Sequence, residues 1–558
     1  MKERVRQYQW LIVVVLIYSF VAFNFAPLIW HSIHSPPDRF FTLSHGNLVD
    51  YYLYLGFIRT GIDGNVLPEN PYDAALSQKS LRKVFWSTLG IVWRPLGLQT
   101  PLIYHLTRLV FSFTLLLSAY FLISQLFPHR KRLLPFFFIL IVGGSFFEVD
   151  QGFSLLKSLA AWWSGKEVDI LSRVAFLPHH LFGQTLMIVS IILLVRFFSK
   201  PQWRSIFLAA LAVNFAGLAH PPSNFIVSLA LLPAYGIFIA RILLLHGTRA
   251  FKQYVRHTRR QIVGFVLFTL CSLVSLIAMA WQAKLGFPWN QIFTEVGWQL
   301  SFDEHIILSI GVLLPFVLIG IISVLLIGEW PLLLVLCWLT IPLALIPFAA
   351  HLGIADWRLA EGYPYLPLGI LAAIGFYTVS QIIGTVVSRR TILSASTVSR
   401  ISSVVFLFII LSASIPTIVV NEQAYFREYE SVHSNTYLPT DILILAQWFN
   451  TRFAHRVVAD RPVVLADFYT ANYLPAFASV RVFVGHFLFS SNWEQHAQIA
   501  DRFLSGHMDG QEAKKLIDDN HIAYIVVSEN NWQNTNRYPQ LLRQVFATSS
   551  YTVFMVKG

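Results

Sequence analysis

The sequence predicts an α-helical polytopic membrane protein of about eleven spans with a small C-terminal α/β domain. Three observations carry this expectation. The 558 residues are 55% hydrophobic and only 13% charged, against roughly 25% charged in a soluble globular chain. Apolar stretches of about 20 residues, the length needed to cross a bilayer, recur as far as about residue 420. Beyond that point the apolar runs shrink to strand length and alternate with amphipathic helical stretches. These features exclude a soluble single-core enzyme and a disordered chain. With 2 Cys the chain is no disulfide scaffold, and Cys271 and Cys337 both lie inside apolar runs as small core residues.

The spans fall at about 9–30, 101–127, 132–147, 175–198, 204–220, 222–245, 261–283, 305–327, 331–350, 362–386 and 401–420. Pro221–Pro222 marks either a turn between two of them or a re-entrant break. The net charge of +12 suggests nucleic acid until the basic residues are placed along the chain. Lys2, Arg4 and Arg6 precede the first span. Arg130 to Arg132, Lys200 with Arg204, Arg249 to Arg260, and Arg389 to Arg400 fill alternate short loops. By the positive-inside rule the N-terminus is cytoplasmic and everything after the last span is exterior. The first stretch is too long for a signal-peptide core and lacks a small-residue cleavage site, so a retained helix is expected.

Two regions stand outside the spans, giving a division into a membrane domain, 1–420, and a soluble domain, 421–558. The membrane domain includes a long first exterior loop, 31–100. In the tail, 462–466, 480–484, 523–527 and 551–556 read as strands, and 493–504 and 511–518 as helices.

Ionisable residues near membrane depth are costly and mark function. On the exterior face they are Asp38, Arg39, His45, Asp50, Arg59, Asp63 and Glu69 in the first loop. Glu148, Asp150, Glu167, Asp169 and Arg173 follow the third span, before Pro178-His179-His180. His220 ends the fifth span, and Asp356, Arg358 and Glu361 lie between the ninth and tenth. Acids, bases and guanidinium groups gathered on one face suit chemistry on an anionic, lipid-linked substrate. The loop segment 46–65 reads as an amphipathic helix on the membrane surface, ending at Gly61 or Gly64. On spacing alone Asp50 fits a helix cap as well as a catalytic base. Leu474-Pro475-Ala476 and Gly485-His486 read as turns, and Tyr469, Trp493 and Trp532 as core fillers or sugar-stacking rings.

The order Asp50-Tyr51-Tyr52-Leu53, Ile58-Arg59-Thr60-Gly61, Asp63-Gly64-Asn65 and Asn70-Pro71-Tyr72 resembles the first exterior loop of a bacterial group similar to the GT-C glycosyltransferases. The likeness continues through Pro178-His179-His180, His220-Pro221, Arg358 with Glu361-Gly362, Leu474-Pro475-Ala476 and Val484-Gly485-His486. It implies a multi-pass enzyme of the bacterial plasma membrane that takes a sugar from a polyprenyl-phosphate donor to a glycan, lipid or protein acceptor, with inversion. It also implies Asp50 as general base and a second acid after the third span, which Glu167 or Asp169 matches, with Glu148 and Asp150 as competitors. Arg358, Arg59 and His180 then serve the donor phosphate, and Asp38, His220, Glu361 and His486 are further candidates. Members of the family are sometimes helped by a divalent cation such as Mg or Mn. No Asp-Asp, Glu-Asp or Asp-x-Asp pair stands near the first span here, which leaves the metal requirement open. The competing readings are a transporter and a non-catalytic envelope-assembly protein that binds a lipid-linked sugar. The crowding of charges on one face rather than at the midplane, and the lack of an evident inverted repeat, weigh against a transporter.

Overall fold

A computed structural model describes residues 2–127, 133–142, 147–148, 157–158, 176–291, 310–349, 351, 355, 357–360, 365–431, 435–528 and 538–557. In chain order it begins with α1 (Lys2–Ile33), β1 (Arg39–Phe41), α2 (Leu48–Ile62), α3 (Val84–Trp93), α4 (Thr100–Leu126) and α5 (Leu133–Val142). Then come α6 (Pro178–Ser199), α7 (Trp203–Ala219), α8 (Pro221–His257), α9 (Arg259–Gln282), α10 (Leu314–Ile327), α11 (Trp330–Leu345), α12 (Tyr365–Ser388) and α13 (Ala395–Ser431). The remainder holds β2 (Tyr437–Pro439), α14 (Asp441–Phe453), β3 (Val463–Leu465), α15 (Phe468–Phe477), β4 (Arg481–Val482), α16 (Trp493–Leu504), α17 (Gly510–Asp519), β5 (Ile522–Ser528), β6 (Leu542–Ala547) and β7 (Tyr551–Val556).

Each expected span coincides with a helix. Among the described residues eight helices are long and apolar enough to cross a membrane, and Trp203–Ala219 and Leu314–Ile327 are shorter apolar helices. The protein is a multi-pass membrane protein. His220 is the N-cap of α8, with Pro221 and Pro222 in its first turn, where a missing N–H costs nothing; the proline pair starts a helix cleanly.

The chain divides into two compact units. The first comprises Met1–Ala26, Arg108–Ile277 and Glu295–Phe426. Its helices approach closely where side chains vanish: a Cβ on Gly320 would overlap the Leu371 carbonyl oxygen, and one on Gly375 that of Phe316. Amide and hydroxyl groups tie α7, α8 and α9 together. The Asn214 amide donates to the Cys271 carbonyl at 2.9 Å, and the Asn224 amide to the Ser272 carbonyl at 2.7 Å and Ser275 Oγ at 2.8 Å.

The second unit comprises Pro27–Thr107, Ala278–Thr294 and Arg427–Gly558. It therefore joins the first loop to the tail. Its main sheet has the order β4-β3-β5-β7-β6. Strands β4 and β5 run parallel to β3, and β7 lies antiparallel to β5 and β6. The amphipathic helices α16 and α17 press Phe503, Leu504, Ala513 and Ile517 into a core with Leu465, Ile525 and Val527. Asp509 caps α17 by accepting from the Gln511 and Glu512 amides at 2.9 and 2.7 Å.

Two expectations are corrected here. The helix within 46–65 is not an amphipathic surface helix: α2 buries every residue from Tyr51 to Ile58, together with Thr60 and Gly61, and stops at Ile62. Its neighbours are α3, which Gly61 and Gly90 let approach to backbone contact, and α15. Leu474-Pro475-Ala476 is not a turn but the last part of α15, whose start is capped by Asp467 accepting from the Thr470 amide at 3.0 Å.

Candidate active site

Asn47 is the residue that caps α2: its side chain accepts from the Val49 amide at 3.1 Å. Asp50 is thus relieved of the capping role and sits in the first turn, where the positive end of the helix dipole lies. The Nε2–H of His486 donates to Asp50 Oδ1 at 3.1 Å, across 436 positions of sequence. The imidazole tautomer follows from its other nitrogen, because the Leu488 amide donates to Nδ1 at 3.0 Å and leaves the proton on Nε2. The His486 side chain is fully buried while the Asp50 side chain is 33% exposed, so the pair offers one partly exposed acidic side chain on a fixed, dry support.

The loop that carries His486 is held from several sides. Ser490 Oγ accepts from the Gly485 and His486 amides at 2.9 and 3.1 Å and donates to the Tyr72 carbonyl at 2.5 Å. The Asn472 amide donates to the Gly485 carbonyl at 2.7 Å and to the Val49 carbonyl, beside Asp50, at 3.3 Å. The Phe487 ring stacks on the imidazole at 4.7 Å, with Phe489 edge-on at 5.4 Å. Burial pushes the His486 pKa below its ordinary value; the Asp50 hydrogen bond and charge act the other way, and the charge of Lys83 adds to the lowering. The ring is therefore a neutral donor that orients Asp50, with neither nitrogen available as a base. Lys83 stands beside this pair, its ammonium 4.9 Å from the Tyr54 ring centre and 5.5 Å from that of Phe489.

The other sequence candidates are placed as follows. Arg59 donates to Asp63 Oδ1 at 2.8 Å, in a buried cluster where the Arg461 guanidinium and Ser479 Oγ donate to Oδ2 at 2.9 and 2.6 Å. Nine positions along α2 separate it from Asp50, about 13 Å and half a turn away, so the two side chains leave opposite faces. Asp38 is exposed and lies 3.6 Å from Arg39 Nε. His180 and His220 come together in the first unit, ring centres 4.0 Å apart, with His179 4.4 Å from His180. His220 Nδ1 is 3.0 Å from Ser223 Oγ. Arg358 is half-buried in the helical turn Trp357–Ala360 of that same unit. Tyr469 is 59% exposed, whereas Trp493 packs against the tail core. Glu167, Asp169, Glu361 and Trp532 lie outside the described residues.

Among the described residues no three His, Cys, Asp or Glu side chains gather around one point that a metal ion would occupy. Asp50 Oδ1 accepts from the His486 N–H, and no step is assigned to a metal here.

No protein-family model matches the chain, and no curated protein is similar to it in sequence. Solved structures do match. The archaeal oligosaccharyltransferase AglB from Archaeoglobus fulgidus, in complex with an inhibitory peptide and a dolichol-phosphate, aligns over 94% of this chain and 70% of its own, with a TM-score of 0.56 at 12% identity. The oligosaccharyltransferase of the same organism in its apo form covers 99% and 75%, with a TM-score of 0.55 at 11% identity. The mycobacterial arabinofuranosyltransferase AftD aligns over 99% of this chain but 42% of its own, with a TM-score of 0.50 at 11% identity. The chain has the GT-C fold. Within that fold, the Asp50–His486 pair joins the helix that follows the first span to the tail sheet's loop, a pairing that no local spacing in the sequence marks.

Proposed function

We propose that the protein is a membrane glycosyltransferase that takes a sugar from a polyprenyl-phosphate-linked donor, with Asp50 as general base. The observation that carries this reading is the Asp50 carboxylate, fixed by a neutral His486 yet open on one side, within a GT-C fold. A base of this kind must be ionised, oriented and reachable by the acceptor. The helix dipole and the His486 N–H both face the carboxylate with positive ends, and the second oxygen is left for the acceptor.

In the proposed step an acceptor hydroxyl gives its proton to Asp50 as its oxygen attacks the anomeric carbon. The bond from that carbon to the phosphate oxygen breaks, its electron pair stays on the phosphate, and the configuration inverts. The reaction is proposed to take place on the exterior face, as the placement of basic residues in the loops suggests. The direct test presents the full chain in detergent with radiolabelled polyprenyl-phosphate sugars and candidate acceptors. Release of polyprenyl phosphate together with a labelled acceptor is expected. Binding of the lipid without turnover under every acceptor tried would point to the non-catalytic reading instead.

A further inference from the structure

Between Asp169 and Glu295 the sequence has no acidic residue, while basic ones recur where α6 joins α7 and where α8 joins α9. These two connections share one end of the first unit. A Cβ on Gly264, about one turn into α9, would overlap the Phe197 ring and press on Ile206, near the ends of α6 and α7 that flank Lys200. The connection between α8 and α9 carries Arg249, Lys252, Arg256, Arg259 and Arg260, all exposed. Among the described residues none of these five has an ion-pair partner. Arg241, farther back on α8, is different: its guanidinium donates to the Leu325 and Leu326 carbonyls at the end of α10.

The five charges sit on a folded element. Gly247 leaves the helix with φ 76° and ψ 175°, a backbone that glycine adopts without strain. Phe238 and Tyr254 are 16 positions apart, which is about 24 Å along a straight helix, yet their ring centres lie 5.7 Å apart. Residues 248–257 therefore turn back along α8. Phe251, Tyr254 and Val255 are half-buried on one side of this returning helix, while Arg249, Lys252 and Arg256 form an exposed stripe on the other. Just before the turn, Leu244 is 81% exposed and Leu245 61%.

We propose that this hairpin is a binding site for anionic phospholipid headgroups. The cationic stripe calls for oxyanions and the bare leucines call for an apolar surrounding. A nucleic acid or an acidic peptide answers the first demand alone. A bilayer surface answers both, because its phosphates overlie acyl chains. The element lies between two helices long and apolar enough to cross a membrane, so that surface is the one next to it. Guanidinium groups suit phosphate through their planar fork. A basic loop that only fixes topology needs charge but no particular fold, whereas here a glycine turn and an aromatic contact present the charges on one side. None of these residues belongs to the Asp50–His486 site, so the inference stands apart from the glycosyl-transfer reading.

The test uses the full chain in neutral detergent micelles doped with fluorescent phosphatidylglycerol, with fluorescent phosphatidylcholine as the uncharged comparison. Inorganic phosphate and polyglutamate serve as competitors. The triple variant Arg249→Gln, Lys252→Gln and Arg256→Gln is set against a matched triple in another basic connection, Arg389→Gln, Arg390→Gln and Arg400→Gln, whose residues are also exposed. The wild type is expected to bind phosphatidylglycerol at least about tenfold more tightly than phosphatidylcholine, and to lose most of that preference as salt rises from about 0.05 to about 0.5 M. The hairpin triple should lower phosphatidylglycerol affinity at least about tenfold, with a Tm within about 4 °C of wild type. The matched triple should stay within a few-fold of wild type. Should the hairpin triple unfold, Lys252→Gln alone should still weaken phosphatidylglycerol binding a few-fold and leave phosphatidylcholine binding as it was. Equal losses in the two triples would reduce the effect to charge count and overturn the proposal. It is equally overturned by a wild type with no preference for phosphatidylglycerol, or by one from which millimolar phosphate or polyglutamate displaces the lipid completely.

Discussion

At the scale of single residues, the division of labour between Asp50 and His486 is set by burial. The carboxylate is partly exposed and the imidazole is wholly enclosed, so the proton on Nε2 is a permanent donor rather than a mobile one. In the proposed mechanism His486 is a positioning residue: removing it frees the Asp50 carboxylate to rotate without removing the carboxylate itself. His486→Ala is expected to lower glycosyl transfer about 10- to 100-fold, with undecaprenyl phosphate binding unchanged, while His486→Gln, which keeps an N–H donor, recovers part of the loss. The lowered pKa of the ring also has a consequence for stability. The unfolded imidazole takes up a proton near pH 6.5, whereas the buried ring in the folded state resists it. The unfolded state then binds more protons, so the contribution to stability is complete above about pH 6.5 and is lost as the pH falls from there toward the lowered folded value. Thermal unfolding measured between about pH 7.5 and pH 5 should show this loss in the wild type, and His486→Gln should lack that component.

At the scale of elements, the position of Asp50 depends on how closely α2 lies against α3. A Cβ on Gly61 would overlap the Ser87 carbonyl oxygen, and one on Gly90 would overlap that of Ile58. Backbone meets backbone at both points, so neither clash is relieved by a rotamer change. Gly90→Ala is expected to destabilise the protein by about 1–3 kcal/mol and, by shifting α3, to lower transfer as well; thermal melts and the donor assay check the two effects. The spans were legible in the sequence because their signal, about 20 consecutive apolar residues, is local. Strands at 463–465 and 551–556 and helices at 493–504 and 510–519 were legible for the same reason. The burial of α2 was not, because the charges of Asp50, Arg59 and Asp63 punctuate a short apolar run and read as contact with water. In the structure Arg59 and Asp63 pair with each other and with tail residues. Pro475 suggested a turn, yet it sits in a helix of ten residues near its C-terminal end. The strand Leu542–Ala547 escaped notice because Arg543 and Gln544 interrupt its apolar run.

At the scale of the whole molecule, the first loop and the tail belong to one compact unit, and a buried charge cluster shows how they are joined. Asp63 lies at the end of α2, and Arg461 and Ser479 belong to the tail. The Arg461 and Asp63 side chains have no exposure, and burial lowers the Arg461 pKa to about 10 against the opposing pull of Asp63. Asp63→Asn leaves a buried guanidinium without its counter-charge and should cost about 3–5 kcal/mol. The double variant with Arg461→Met should cost less than Asp63→Asn alone, as measured by thermal melts of the full chain. Contacts across some 400 positions leave no trace in local composition, which is why the sequence offered Asp50 and His486 as separate candidates but not their pairing. The most direct measurement of the central claim is glycosyl transfer by Asp50→Asn, which keeps the size of the side chain and an acceptor for the His486 N–H. The account predicts transfer lowered at least about 100-fold with Tm and undecaprenyl phosphate binding at wild-type values. Transfer at the wild-type rate by that folded, donor-binding variant would contradict it.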